Sequence, residues 1–300
     1  MLKEWPLVAF TILGQMAVGM SLSMFPLMAL SAEISWNAQS REKALLVLGL
    51  IFGLLMVAAA LSFFHLRHPL RARRVLANLR TSWLSREIFF ELVLIVLVAL
   101  AFVLVRTRNA DGLFFRVVMA GAAIAGILFL VSMSKLYTLE SVPSWDPVYT
   151  GISFLLTTVT LGTMATALVT GSPTGNPNSY LSTLWSLAFY FIAADIFLAT
   201  FLTPRFGIVG PRPGPSLRPP ARAPRSFHFG RLAFLAGGLV LLVLAAEASM
   251  SGSPGDLSLT HPLVLGRAER QLLTLASALV LLGEVVGRFL FYGLVLRPGD

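Results

Sequence analysis

The sequence predicts an all-α integral membrane protein, a bundle of eight transmembrane helices with both termini on the same side. Three observations carry this expectation. Mean hydropathy is +0.81 and only 12% of residues are charged, far outside the range of soluble domains. Leucine, alanine, valine and phenylalanine come in long blocks, several exceeding the roughly 20 apolar residues that cross a hydrocarbon core. The period-two alternation over segments of about 10 residues that marks a membrane β-barrel is missing.

The spans fall at approximately 6–30, 44–65, 88–106, 114–137, 148–170, 180–203, 231–250 and 271–294. The first follows Met-Leu-Lys-Glu-Trp-Pro, runs past 20 residues and has no Ala-x-Ala-like cleavage site, so it reads as a retained span. The second ends at His65, the third opens after Glu87 and the fourth closes at Tyr137. The sixth carries Asp195, the seventh ends near Glu247, and the eighth holds Glu284 and Arg288. Trp5, Trp36, Trp83, Trp145 and Trp185 all fall in loops or at span ends, where amphipathic rings sit at headgroup level. The whole chain, 1–300, reads as a single membrane-anchoring domain with a Pro/Arg-rich loop at 204–230.

Charge gives the orientation. The terminal side carries Lys3, Arg297, the 66–87 loop (Arg67, Arg71, Arg73, Arg74, Arg80, Arg86) and the 204–231 loop (Arg205, Arg212, Arg218, Arg222, Arg225, Arg231). The far side has Arg41, Lys43, Arg106, Arg108, Arg267 and Arg270. Fourteen against six predicts a cytoplasmic terminal side. The proline-dense 204–231 loop reads as an extended, solvated connector or as a contact for anionic lipid or an acidic partner surface. No aromatic or motif context supports nucleic-acid binding. With no cysteine there is no disulfide, no thiolate-ligated cluster and no nucleophilic thiol.

Ionisable residues inside spans are costly and are functional candidates. Glu284 and Arg288, four apart, share a helix face and can pair, and Gly283 and Gly287 beside them allow a neighbouring helix to approach closely. Asp195 and Glu247 read either as buried hydrogen-bonding groups or as parts of a proton path. A denser set lies near the terminal side: His65, Glu87, Tyr137 and Arg288. Each also has a structural reading: His65 can cap helix carbonyls, and Glu87, two residues after a possible Ser85 N-cap, suits the positive end of a helix dipole.

An imidazole and a carboxylate at one membrane interface fit quinol chemistry. Oxidation releases two electrons and two protons, and the ring hydroxyl needs an acceptor that is neutral near pH 7, as histidine is. A nearby carboxylate would pass the proton on. A b-type haem needs axial ligands inside spans. His65 and His68 sit at one boundary and His228 and His261 in loops on opposite sides, so no haem is expected and the electrons go to a redox centre on another subunit. A proton-coupled secondary transporter using Asp195, Glu247 and Glu284 would show inverted repeats and broken spans, and neither is clear.

Four stretches occur in order: EWPLVAFTILGQMAVGM, FFHLRHPLRARRVLANLRTSWLSREI, KLYTLESVPSWDPVYTGISF and GEVVGRFLFYGL. Together they resemble the DmsC family, the membrane anchor subunit of dimethyl sulfoxide reductase and related molybdopterin oxidoreductases. The likeness covers most of the chain but little of 171–270. Its most specific part is the His-Leu-x-x-Pro-x-Arg-Ala block followed by Leu-Ser-x-Glu-Ile. The resemblance implies a haem-free, metal-free anchor that binds an iron–sulfur electron-transfer subunit, which holds a molybdopterin catalytic subunit. It implies menaquinol as an exchangeable substrate, with His65 and Glu87 at the site. Arg71, Tyr137, Glu284 and Arg288 are added as candidate quinol-binding or proton-transfer residues, and Arg67, His68, Arg73 and Arg74 as partner-docking residues. Arg67 and His68 depart from the small residues expected after His-Leu, which bears on quinone preference. Related anchors also serve quinone-reducing complexes, such as sulfite dehydrogenases. The family setting implies a bacterial or archaeal cytoplasmic membrane.

Overall fold

The computed structural model describes residues 5–30, 36–65, 78–138, 147–171, 179–202, 225–250 and 266–293. Eight helices follow one another: α1 Trp5–Phe25, α2 Ala38–His65, α3 Trp83–Arg106, α4 Leu113–Leu136, α5 Pro147–Thr170, α6 Ser179–Phe197, α7 Arg225–Met250 and α8 Arg267–Gly293. All eight are long and apolar enough to cross a membrane, and no strand occurs among the described residues. Two end in a wider π turn, α1 through Pro26–Leu30 and α6 through Leu198–Leu202. At Pro26 the missing N–H and the ring's clash with the preceding turn disfavour continued α-helix, which the π turn accommodates.

Helix ends follow local chemistry. Asn37 caps α2, its Oδ1 accepting from the Ser40 N–H at 2.8 Å. Ser82, with extended backbone (φ −113°, ψ 121°), caps α3 and accepts from the Ser85 N–H at 3.3 Å. The N-cap is therefore Ser82 and not Ser85. The difference moves Glu87 from the first turn, where the helix dipole would account for it, to the fifth helical residue. α3 ends in a Schellman motif: the Asn109 N–H donates to the Leu104 carbonyl at 2.8 Å and the Arg108 N–H to that of Val105 at 3.3 Å. Arg108 takes the left-handed position (φ 63°), which glycine or asparagine usually fills and which costs an arginine about 1–2 kcal/mol.

α1 and α5 form the centre. α1 packs on α2, α4, α5 and α8, and α5 touches α1, α2, α4, α6 and α8. The most extensive pairings are the hairpin α7–α8 and the hairpin α3–α4. α1 and α5 meet backbone to backbone. A Cβ added at Gly19 would lie 1.9 Å from the Thr158 carbonyl oxygen, and one at Gly162 would lie 2.2 Å from the Gly19 carbonyl carbon. Small residues allow such approach where lipid supplies no hydrophobic drive between helices. Gly162→Ala is expected to destabilise the bundle by about 3 kcal/mol, because backbone on the far side cannot yield. Denaturant unfolding in mixed micelles measures it, and an unchanged midpoint would refute the close contact.

α5 is also rich in threonine, yet it is central. Several of its hydroxyls turn back on their own helix: Thr158 donates to the Phe154 carbonyl at 2.7 Å, Thr163 to Val159 at 2.7 Å and Thr170 to Thr166 at 2.8 Å. Those groups can be buried without a partner from another helix.

Candidate functional site

Polar side chains are concentrated in the half of the bundle nearer the termini, where α3, α5 and α7 begin and α4, α6 and α8 end. One group is a charge-balanced network across five helices. Arg231 of α7 donates from Nη2 to both carboxylate oxygens of Asp195 on α6, each at 2.9 Å. The same nitrogen lies 3.8 Å from Glu284 Oε2 on α8. Thr157 Oγ1 of α5 stands 2.9 Å from Glu284 Oε2 and accepts from Arg288 Nη2 at 3.2 Å. Arg288 also donates to Gln15 Oε1 of α1 at 2.8 Å, and its guanidinium stacks 3.8 Å from the Phe154 ring centroid. Asp195, Arg231, Glu284 and Arg288 are all buried, and two cations answer two carboxylates. Charge balance is one condition under which charges persist away from water, and Arg231 Nε and Glu284 Oε1 still lack a hydrogen-bond partner among the described residues.

The second group is not balanced. Glu87 and Glu91 lie one turn apart on α3, 1% and 3% exposed. They head a buried stripe that continues through Leu94, Val98, Ala101 and Val105. Both oxygens of Glu87 and Oε1 of Glu91 lack a hydrogen-bond partner among the described residues. A buried polar group left this way normally has a ligand, a water or a proton to handle.

Two tyrosines stand between the groups. Tyr137, the C-cap of α4, and Tyr292 of α8 pack edge to face with centroids 5.2 Å apart, in an aromatic cluster with Phe154 and Phe291. Glu87 and Arg288 both lie within electrostatic reach of the two phenols. Carboxylate pair, phenol pair and ion network therefore form one polar track from α3 to α6.

The DMSO reductase anchor subunit profile, DmsC, matches residues 1–203. The chain belongs to that family. It is 34% identical over 172 residues to the C subunit of the anaerobic dimethyl sulfoxide reductase of Haemophilus influenzae, a match covering 56% of this chain and 59% of that protein. It is 25% identical over 300 residues to the YnfH subunit of an anaerobic dimethyl sulfoxide reductase of Escherichia coli, covering 99% and 96%. The C subunit of the anaerobic dimethyl sulfoxide reductase of E. coli matches at 27% over 158 residues, 51% of this chain and 53% of that protein. The match thus spans little more than half the length of both C-subunit relatives. No solved structure matches it. Membership of the DmsC family, together with the eight spans, makes this a membrane-spanning chain of the DMSO reductase anchor-subunit family.

In this DmsC-family chain the structure brings Glu87, Tyr137, Glu284 and Arg288 into the terminal half. His65 closes α2 at the same end of the bundle, and its side chain lies outside what is described. Arg67, His68, Arg71, Arg73 and Arg74 lie outside the described residues. Glu284 and Arg288 share a face but do not pair directly. Thr157 sits between them, and Arg288 turns to Gln15 because α1 supplies a carbonyl oxygen at shorter range. Gly283 and Gly287 do admit a neighbour, α7, with Leu235 and Arg231 against them.

Three expectations need correction. Arg231 belongs to the buried network and not to a basic loop, because α7 begins at Arg225 and places it in the second turn opposite Asp195. His228 is likewise helical, in the first turn of α7. Glu247 is exposed on the outer face of α7, away from the polar track. Sequence reasoning also misses Glu91, Gln15, Thr157 and Tyr292. For Glu91 a signal exists, since Glu-x-x-x-Glu at the head of an apolar run puts two carboxylates on one face.

Proposed function

We propose that this chain oxidises quinol for an attached oxidoreductase, as the haem-free anchor of a molybdopterin/iron–sulfur complex of the dimethyl sulfoxide reductase type. The observation that carries the reading is the pair of buried, unpartnered carboxylates, Glu87 and Glu91, beside Tyr137 and Tyr292. Each quinol gives up two protons and two electrons on becoming quinone. His65 accepts a hydrogen bond from one ring hydroxyl, and Glu87, with Glu91 one turn deeper, takes up the released protons and passes them towards water. Both electrons leave to an iron–sulfur subunit docked on the terminal side, and from there to a molybdopterin catalytic subunit.

Menaquinol, the exchangeable substrate, enters laterally from lipid. Arg71 helps shape its pocket. Arg288 and Glu284 hold the phenol pair and the far wall in place. Arg67, His68, Arg73 and Arg74 meet the iron–sulfur subunit. The chain sits in the bacterial or archaeal cytoplasmic membrane with its termini and basic loops on the cytoplasmic face.

Titration of membranes with a fluorescent quinone-site inhibitor tests the site. Wild-type membranes are expected to bind stoichiometrically, with affinity falling at least about tenfold in His65→Ala and in Glu87→Gln. If both variants bind like wild type, the quinol reading fails. A Soret band in the purified anchor would overturn the haem-free assignment.

A further inference from the structure

At the far side of the bundle, a groove of about 460 Å³ opens between the start of α2 and the end of α3. Its rim carries Arg41, Arg106 and Arg108 against a single acid, Glu42, and its wall includes Leu45 and Phe102. We propose that this groove binds the headgroup of an anionic phospholipid in the far-side leaflet, the phosphodiester held by the guanidinium groups and an acyl tail lying along α2.

The charge is unspent. Arg106 and Arg108 make no side-chain hydrogen bond or ion pair among the described residues. Arg41 is different: it donates from Nε to the Trp36 carbonyl at 3.1 Å and from Nη1 to the Val105 carbonyl at 3.4 Å, and it lies 5.7 Å from the Trp36 ring centroid. It therefore forms a fixed wall, with two exposed, unpaired forks on the same rim. Three guanidinium groups facing one carboxylate leave an excess of positive charge, and planar forks match phosphate oxygens in pairs. Interaction with the α3 dipole accounts for a cation at Arg106. It does not account for Arg108, which occupies the left-handed cap position that glycine takes more cheaply.

Depth and lining favour a lipid over a soluble ion. Trp36 and the end of α3 mark the headgroup level, where guanidinium groups meet lipid phosphates. The groove runs on to Leu46, a lipid-facing side chain that is 57% exposed, so a headgroup held at the rim has an apolar path for its tail.

The test uses the full chain purified in mild detergent and native mass spectrometry after incubation with phosphatidylglycerol, phosphatidylcholine or glycerol 1-phosphate. Wild type is expected to retain one phosphatidylglycerol per protein molecule, and the double variant Arg106→Gln/Arg108→Gln at least about tenfold less. Arg116→Gln is the control for general interfacial charge: Arg116 is exposed on α4 at the same membrane side, outside the groove, and its variant should bind like wild type. Circular dichroism confirms that the variants fold. Retention by the double variant, equal loss in Arg116→Gln, equal binding of phosphatidylcholine, or equal binding of glycerol 1-phosphate would each overturn the proposal.

Discussion

Arg231→Met is expected to destabilise the bundle by about 3–5 kcal/mol, the usual cost of stranding a buried charge. Arg231 is the direct ion-pair partner of Asp195 and the nearer cation to Glu284. Its removal leaves two carboxylates facing each other with Arg288 as compensation, and Arg288 is already committed to Gln15 and Thr157. Asp195→Asn/Arg231→Met removes both members of the closest pair and should recover much of the loss, because two neutral side chains no longer demand a counter-charge. Unfolding by denaturant in mixed micelles, run on both single variants and the double, gives the coupling directly. If Arg231→Met costs less than about 1 kcal/mol, or the double variant is worse than either single, the network is not a closed ion set. Asp195→Asn alone should also destabilise, but less, since Glu284 remains within reach of the stranded guanidinium.

The second large effect is on turnover. In the assembled complex, Glu87→Gln and Glu91→Gln are each expected to slow quinol oxidation by about 100-fold, the lower end of what a positioned proton acceptor contributes. Glutamine keeps the shape and removes the ability to take a proton, and at these buried positions it does not destabilise, because no partner loses a bond. The two variants should differ in binding. Glu87→Gln weakens the quinone-site inhibitor, whereas Glu91→Gln, a turn deeper, leaves its affinity unchanged while turnover falls. Normal turnover in Glu91→Gln with impaired Glu87→Gln would confine proton uptake to one carboxylate. Normal turnover in both would remove the carboxylate pair from the mechanism.

The eight helices are legible in the sequence because lipid leaves the backbone little choice: every polar group must be satisfied within the segment, so hydropathy alone marks the spans. Helix caps are less so. Ser82 and Ser85 are both plausible N-caps, and only the extended backbone at Ser82 decides between them. Partners between helices are least legible. Gln15 meets Arg288 across nearly the whole chain, and Asp195 meets Arg231 across a proline-rich loop. Neither contact follows from spacing within one helix. Arg231 reads as loop charge because it borders the Pro/Arg-rich segment, and its burial depends on where α7 lands against α6. Tyr137 and Glu87 stand out because they close and open spans at one depth. Glu91 does not, because it sits inside an apolar run where composition hides a single acid.

The contact between Gly19 and Gly162 also has a meaning in time. A ribosome adding about 5–20 residues per second completes α1 on the order of ten seconds before α5 exists. Throughout that interval the groove at Gly19, with the buried Thr11 and Gln15 above it, has no α5 to fill it. α2 arrives first and α4 next, each covering part of α1, α5 then fills the Gly19 face, and α8 completes the enclosure last. The first helix made is thus fully enclosed only when the last one arrives.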